Sequence, residues 1–210
     1  MSRLTVGVVD YGSGNIRSVV NAVECAGAGA KLVQQSGDVR GCSHLVLPGV
    51  GAFGFCAERL RNSGMLLPLE QWALREARPL LGICVGMQLM ADFSEERGKH
   101  AGLGWIGGAV RALEQSRQAG IRVPHVGWDE VQFTEPFGLF AAGETADFYF
   151  DHSFVYHDPS RGREVASASH GQRFSAIVQR MNILGVQFHP EKSQAAGMRL
   201  LKSFLAMSSC

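Results

Sequence analysis

The sequence predicts an α/β protein with a mostly parallel central sheet flanked by helices and a small antiparallel extension. Three observations carry this prediction. The first half alternates short β-branched runs with stretches of helical periodicity, the pattern of β-loop-α units. Its glycine-rich and polar residues fall directly after the strands, at the C-terminal ends where open α/β sheets place their ligands. After Asp92 the chain runs into several short strand-like stretches in succession, which favours antiparallel pairing beside the parallel sheet.

Leu4 to Val9 reads as the first strand and ends in the turn Asp10-Tyr11-Gly12-Ser13-Gly14-Asn15. Ile16, Val19, Val20 and Val23 then recur at helical spacing in a helix reaching Ala26. The Gly-Ser-Gly turn lacks the third glycine of a dinucleotide fingerprint, and no acid closes a clean second strand, so it reads as a strand-to-helix turn. Lys31 to Gln34 is a second strand. A third, His44 to Leu47, runs into Pro48-Gly49-Val50-Gly51. Two glycines around one valine expose backbone N–H groups that can face an anion, as an oxyanion hole requires; a plain turn is the other reading of so short a motif. Phe53 to Asn62 and Met65 to Ala77 read as helices, the second closing before Pro79.

Leu80 to Ile83 is a short apolar run between Pro79 and a glycine-flanked cysteine, too short for a helix of its own and therefore a buried strand. Cys84 lies between Gly82 and Gly86, and the pattern beyond it is helical. That spacing matches a nucleophile elbow with Cys in place of Ser: glycines permit the sharp turn, and the helix N-terminus favours a thiolate. A buried core cysteine is the competing reading, because free Cys packs as a small hydrophobe.

In the second half, Ala109 to Leu113, Val126 to Phe133 and Ala146 to Tyr156 read as strands. Pro124-His125-Val126-Gly127-Trp128 is either a packing corner or a surface for a partner. Ile183 to Phe188 is the last strand, followed by His189-Pro190-Glu191-Lys192 and a helix from Ser193 to Ala206. Residues i and i+2 of an extended segment share a side, and Pro190 keeps this one out of helix geometry. His189 and Glu191 thus pair as base and orienter, which shifts Cys84 toward nucleophile.

A net charge of +1 with scattered Lys and Arg leaves no footprint for nucleic acid. The N-terminus meets Asp10 after a short run and lacks a signal peptide's apolar region. No uncharged run, Pro79 to Ala91 included, reaches the roughly 20 residues a membrane helix needs. The expectation is a cytoplasmic protein without a membrane partner, formed as a single domain over residues 1–210. Five scattered cysteines read as reduced thiols, with Cys25 and Cys56 in helices, Cys42 in a loop and Cys210 at the terminus. The seven histidines are far apart in sequence, so no metal site is expected.

In combination, G-I-C-V-G-M-Q, P-G-V-G and H-P-E resemble the class I (triad) glutamine amidotransferase domain, over essentially the whole chain. Within that family, D-Y-G-S-G-N-I-R-S-V, L-P-G-V-G-A-F, P-H-V-G-W-D-E-V and Q-F-H-P-E-K-S are similar to glutaminase subunits of histidine biosynthesis. The resemblance implies the family's three-layer fold and a Cys84 that attacks the glutamine side-chain amide. It further implies a His189 that shuttles the proton to departing ammonia and a Glu191 that orients His189. Backbone N–H groups of Val50 and Gly51, with Val85, would hold the oxyanion. Gly49, Gln88, Glu96, Ser153 and Phe154 would contact glutamine. Asn15, Trp128, Tyr149 and Lys192 would meet a (β/α)8 barrel cyclase in a heterodimer. No organic cofactor or metal is implied. The chain departs from the family's Tyr-Phe-Val-His-Ser-Tyr strand at Asp151 and Phe154, which keeps open a paralogue feeding another synthase, such as one amidating a surface-polysaccharide sugar. A non-catalytic binding or redox-sensing protein of the same fold is a further alternative.

Overall fold

The computed structural model describes residues 4–158 and 162–208, so Cys210 lies outside the described residues. Strand β1 (Thr5–Val9) leads through the glycine turn into α1 (Ile16–Cys25), followed by β2 (Gly29–Val33) and β3 (His44–Gly49). Helices α2 (Phe53–Asn62) and α3 (Leu66–Glu70) precede β4 (Leu80–Cys84) and the one-turn helix α4 (Val85–Leu89). Short strands β5 (Phe93–Ser94), β6 (His100–Ala101) and β7 (Ala109–Ala112) come next, then α5 (Glu114–Gln118). Strands β8 (His125–Phe133), β9 (Thr145–His152), β10 (Phe154–His157), β11 (Glu164–Ser169), β12 (Arg173–Arg180) and β13 (Ile183–Val186) follow, and α6 (Gln194–Leu205) closes the fold.

The main sheet has nine strands in the order β2-β1-β3-β4-β13-β12-β11-β8-β9. Its first five strands are parallel, and antiparallel pairing begins between β13 and β12. The central parallel strands are buried along their length, as in β3 and β4, because both faces of such a sheet are covered and the sequence runs continuously apolar. Strand β8 instead alternates, with His125, Val131 and Phe133 buried and Val126 and Trp128 exposed, the signature of one wet face. Helix α1 packs against α6, and α2 against α4. Phe148 stacks on Phe188 at 3.9 Å and Phe133 on Phe140 at 4.2 Å, an aromatic core beneath β8 and β9.

Several expectations need correction. The antiparallel part is not small: β12, β11, β8 and β9 extend the main sheet, and β10-β7-β5-β6 form a second sheet of four strands. Strand β11 (EVASAS) escaped the sequence reading because it is built largely from small residues of weak strand preference; β12 (RFSAIVQR) was passed over despite its Phe, Ile and Val. The run from Ala146 to Tyr156 is two strands in two sheets, divided at Ser153. There the Ser153 carbonyl accepts from Leu113 N–H at 3.0 Å, while His152 Nδ1 donates to the Phe154 carbonyl at 3.1 Å, a local bond that competes with the ladder. The helix expected from Met65 to Ala77 is α only to Glu70 and continues as a wider π turn over Gln71–Arg75, where the buried Trp72 donates its indole N–H to the Pro79 carbonyl. Among the described residues no helix is long and apolar enough to cross a membrane.

Candidate active site

Four adjacent parallel strands, β1, β3, β4 and β13, deliver their C-terminal ends to one crevice. β4 supplies Cys84, whose backbone is held at φ +53° and ψ −113°, a strained conformation for a side-chain-bearing residue and the hallmark of a nucleophile elbow. The flanking glycines are required by space. A Cβ on Gly86 would stand 1.8 Å from the Leu47 carbonyl oxygen, and one on Gly82 would stand 2.8 Å from Gly86 O. Because α4 spans only Val85–Leu89, few aligned peptides add up behind the sulfur, and the side chains around it carry more of its electrostatics than the helix dipole does.

After β13 the chain bends at Gln187 and Phe188, is extended at His189 and then turns into a 3-10 helix, Pro190–Lys192, with Pro190 at its first position. The sequence reading placed this segment in extended geometry. Proline's fixed φ suits the first turn of a helix equally well, and the turn brings Glu191 back under the imidazole. His189 Nδ1 and Glu191 Oε1 are 2.9 Å apart, and the two side chains are 4% and 2% exposed. His189 and Cys84 line the same cavity, and the sulfur acts on the ring's ionisation. Burial on its own would lower the His189 pKa, but the hydrogen bonds to Cys84 and Glu191 outweigh it and raise the value to about 10. A thiol, a charged imidazole and a buried carboxylate in this sequence are the parts of a nucleophilic triad.

The cavity in front of the sulfur has a volume of about 260 Å³, room for an amino acid. Val50, Gly51, Val85, Gln88, Glu96, Ser153, Phe154 and Lys192 line it together with Cys84 and His189. Gly49 lies just behind this wall, pairing with Cys84 across β3 and β4. Glu96 has one oxygen engaged, since its Oε2 accepts from Phe53 N–H at the start of α2 at 2.7 Å. Val50 is gripped by Ser13: its carbonyl accepts from Ser13 Oγ at 2.8 Å and its N–H donates to the same oxygen at 3.4 Å.

Asn15, Trp128 and Tyr149 lie outside the cavity. Asn15 stands half-buried at the start of α1, its carbonyl accepting from Val19 N–H at 3.2 Å. Trp128 is 48% exposed and edge-on to Tyr149, ring centroids 6.1 Å apart, and Lys192 Nζ sits 5.2 Å over the Tyr149 ring. Asp151 is exposed on the cavity rim. Cys25 is exposed on α1, whereas Cys42 and Cys56 are buried.

Sequence reasoning passed over Gln187, which is fully buried with its Nε2 3.7 Å from Cys84 Sγ. The sequence signal was the spacing alone: Gln187 is two residues before His189, which in a strand would put both on one side, although here the chain bends at Gln187 and Phe188. It also passed over a histidine cluster, because distance in sequence hid it. His125 Nδ1 lies 3.1 Å from His152 Nε2, and His125 Nε2 lies 3.2 Å from Asp129 Oδ2. Donor atoms of His125, Asp129 and His170 fall within 4.8 Å of one another, yet the rings of His125 and His170 stack with centroids 4.0 Å apart and 13° between planes. Lone pairs lie in the ring plane, so those of stacked imidazoles do not converge on one ion, and the cluster reads as buried packing.

The fold and the cysteine elbow with its histidine and glutamate define a class-I glutamine amidotransferase, and the profile of the family described as glutamine amidotransferase class-I matches residues 7–207; the chain belongs to this family. Within it, the chain stands with the HisH subunits of imidazole glycerol phosphate synthase. It is 44% identical over 211 residues to that subunit from Rhodospirillum rubrum, covering 96% of this chain and 98% of the relative. The Zymomonas mobilis subunit is 43% identical over 206 residues, covering 96% and 95%. Among solved structures, PurLQS from Thermotoga maritima shares the fold with a TM-score of 0.77 at 19% identity, covering 97% of this chain and 98% of that one. A glutamine amidotransferase crystal structure does so with a TM-score of 0.74 at 21% identity, covering 95% and 96%.

Proposed function

We propose that this chain is the glutaminase subunit of imidazole glycerol phosphate synthase. It acts as a single domain over residues 1–210 that hydrolyses glutamine and hands ammonia to a (β/α)8 barrel cyclase in the cytoplasm. The observation that carries the reading is His189 paired with the buried Glu191 carboxylate and sharing with Cys84 the wall of an amino-acid-sized cavity.

The Cys84 thiolate attacks the side-chain carbonyl carbon of glutamine, and the carbonyl π pair moves to oxygen. Backbone N–H groups at Val50, Gly51 and Val85 receive that oxyanion; the Val50 amide leaves Ser13 Oγ to do so. As the intermediate collapses, the C–N bond breaks and the imidazolium of His189 gives its proton to the departing nitrogen, which leaves as ammonia. Water, deprotonated by His189, then attacks the thioester; the C–S bond breaks and glutamate departs. Gln88, Glu96 and the Ser153–Phe154 backbone hold the amino-acid end of the substrate, with Gly49 shaping the wall. Asn15, Trp128, Tyr149 and Lys192 form the face that meets the cyclase, Trp128 being a large exposed aromatic of the kind that anchors interfaces.

Deleting the gene tests the pathway. The expected result is a strain that needs histidine, with affinity capture of the tagged chain recovering a barrel cyclase. Growth without histidine, together with recovery of a different synthase, would reject this pathway in favour of a sister glutaminase.

A further inference from the structure

We infer that Gln187 is a further catalytic residue, whose side-chain N–H donates to the Cys84 sulfur and supports its thiolate. The inference rests on the reading of Cys84 as the nucleophile.

An amide's oxygen and nitrogen have nearly the same shape, so its direction must follow from its partners. Here one backbone group fixes it. The Phe154 carbonyl can only accept, and Gln88 Nε2 lies 3.0 Å from it, so the NH2 end of Gln88 faces that oxygen. The same NH2 group lies 3.0 Å from Gln187, which must therefore present its Oε1 there. What remains for Gln187 is to turn its own NH2 toward Cys84 Sγ, at 3.7 Å.

The arrangement has no second solution. His152 Nδ1 also donates to the Phe154 carbonyl at 3.1 Å, so that oxygen already holds two donors. Gln187 is 0% exposed and Gln88 3%, and reversing either amide would set acceptor against acceptor or donor against donor where no water can repair it. The Gln187 backbone is pinned as well, its N–H donating to Ala176 O at 2.9 Å.

Chemically, the sulfur then has two supports: the His189 imidazolium and a neutral N–H that carries no proton to lose. Deacylation uses both. When the thioester C–S bond breaks, its electron pair returns to Sγ, where the Gln187 N–H meets the restored charge. The same wiring defines Gln88. Both of its amide hydrogens are spent on Phe154 O and Gln187 Oε1, so Gln88 can offer a substrate only its own Oε1, an acceptor for an N–H of the glutamine.

Other groups act on the sulfur through charge. Tyr11 in the β1–α1 loop and Cys56 on α2 are close enough for this, and burial pushes both of their ionisations upward, so both stay neutral beside a thiolate. Glu191 is engaged with His189, while Glu96, Asp151 and Lys192 stand on the cavity wall and rim.

The test is the pH dependence of Cys84 alkylation by iodoacetamide, followed in the full chain by mass spectrometry of the Cys84 peptide, for wild type, Gln187→Leu and Gln187→Glu. A hydrogen bond to a charged group is worth about 1.5–3 kcal/mol, so losing it moves the midpoint of the profile up by about one pH unit or more in Gln187→Leu. Gln187→Glu is near-isosteric and keeps a folded reference, and it moves the midpoint further by setting a carboxylate against the thiolate. With the cyclase present, kcat for glutamine falls about tenfold or more in both variants while KM changes less than threefold. Midpoints within about 0.3 unit of wild type in folded Gln187→Glu would overturn the inference. Glutamine hydrolysis surviving in Cys84→Ala would overturn the underlying reading of Cys84 instead.

Discussion

Glu191 gives one oxygen to His189, Oε1 at 2.9 Å from Nδ1, while its other oxygen, Oε2, is buried without a hydrogen-bond partner among the described residues. A buried carboxylate with an idle oxygen is costly unless a positive charge stands beside it. Glu191 and the imidazolium of His189 therefore sustain each other.

Replacing Glu191 with Gln keeps the shape and removes the charge. The amide can turn its N–H toward Nδ1 and select the wrong tautomer, so kcat for glutamine hydrolysis should fall about 10²–10⁴-fold with little change in KM. Steady-state glutamate release in the presence of the cyclase measures this. A loss below threefold would contradict the role given to Glu191.

The buried histidines impose a stability optimum on pH. Burial, followed by the nearby His125, pushes His152 down to about 3; burial, followed by His170, pushes His125 down to about 4. A histidine depressed on folding binds its proton more readily in the unfolded chain, so its stabilising contribution is full above about 6.5 and is lost as pH falls. Between pH 6.5 and 5 the loss is at most about 2 kcal/mol for each of the two. His189 has the opposite sign. Raised to about 10, it contributes fully below about 6.5, and that contribution is lost as pH rises toward 10. Urea midpoints across pH 4.5–10 should therefore decline on both sides of about 6.5–7. His125→Phe, which preserves stacking on Phe150, should flatten only the acid limb. An acid limb as steep in the variant as in wild type would assign the acid sensitivity to other groups.

Gly86→Ala should be among the most destabilising single changes available. Its Cβ would meet a backbone oxygen, Leu47 O at 1.8 Å, which no rotamer change relieves. A loss of about 3 kcal/mol or more is expected, read as a fall in thermal midpoint, together with loss of glutamine hydrolysis. A midpoint within a degree or two of wild type would show that the elbow is looser than its geometry.

Much of the site was legible because its parts are punctuated locally. Gly82 and Gly86 bracket Cys84, and Pro190 separates His189 from Glu191, so each motif announces its own turn. The parallel half of the sheet was legible for a related reason: buried strands such as β3 and β4 read as uninterrupted apolar runs. What was not legible depends on contacts between distant residues. The switch of sheets at Ser153 falls inside a run with no Gly or Pro to mark it, and is visible only when Leu113 takes the Ser153 carbonyl. The cluster of His125, His152 and His170 forms because β8, β9 and the turn after β11 meet in space. Gln187 sat in plain view, but its role requires knowing that Gln88 and Phe154 lie beside it.

The central claim is that Cys84 hydrolyses glutamine and that the ammonia is used by a second subunit. Cys84→Ala, assembled with the cyclase, tests both halves in one assay of the cyclase product. Supplied with glutamine, the variant complex should form no product above background; supplied with ammonium, it should match wild type. Equal glutamine-dependent synthesis by variant and wild type would contradict the account.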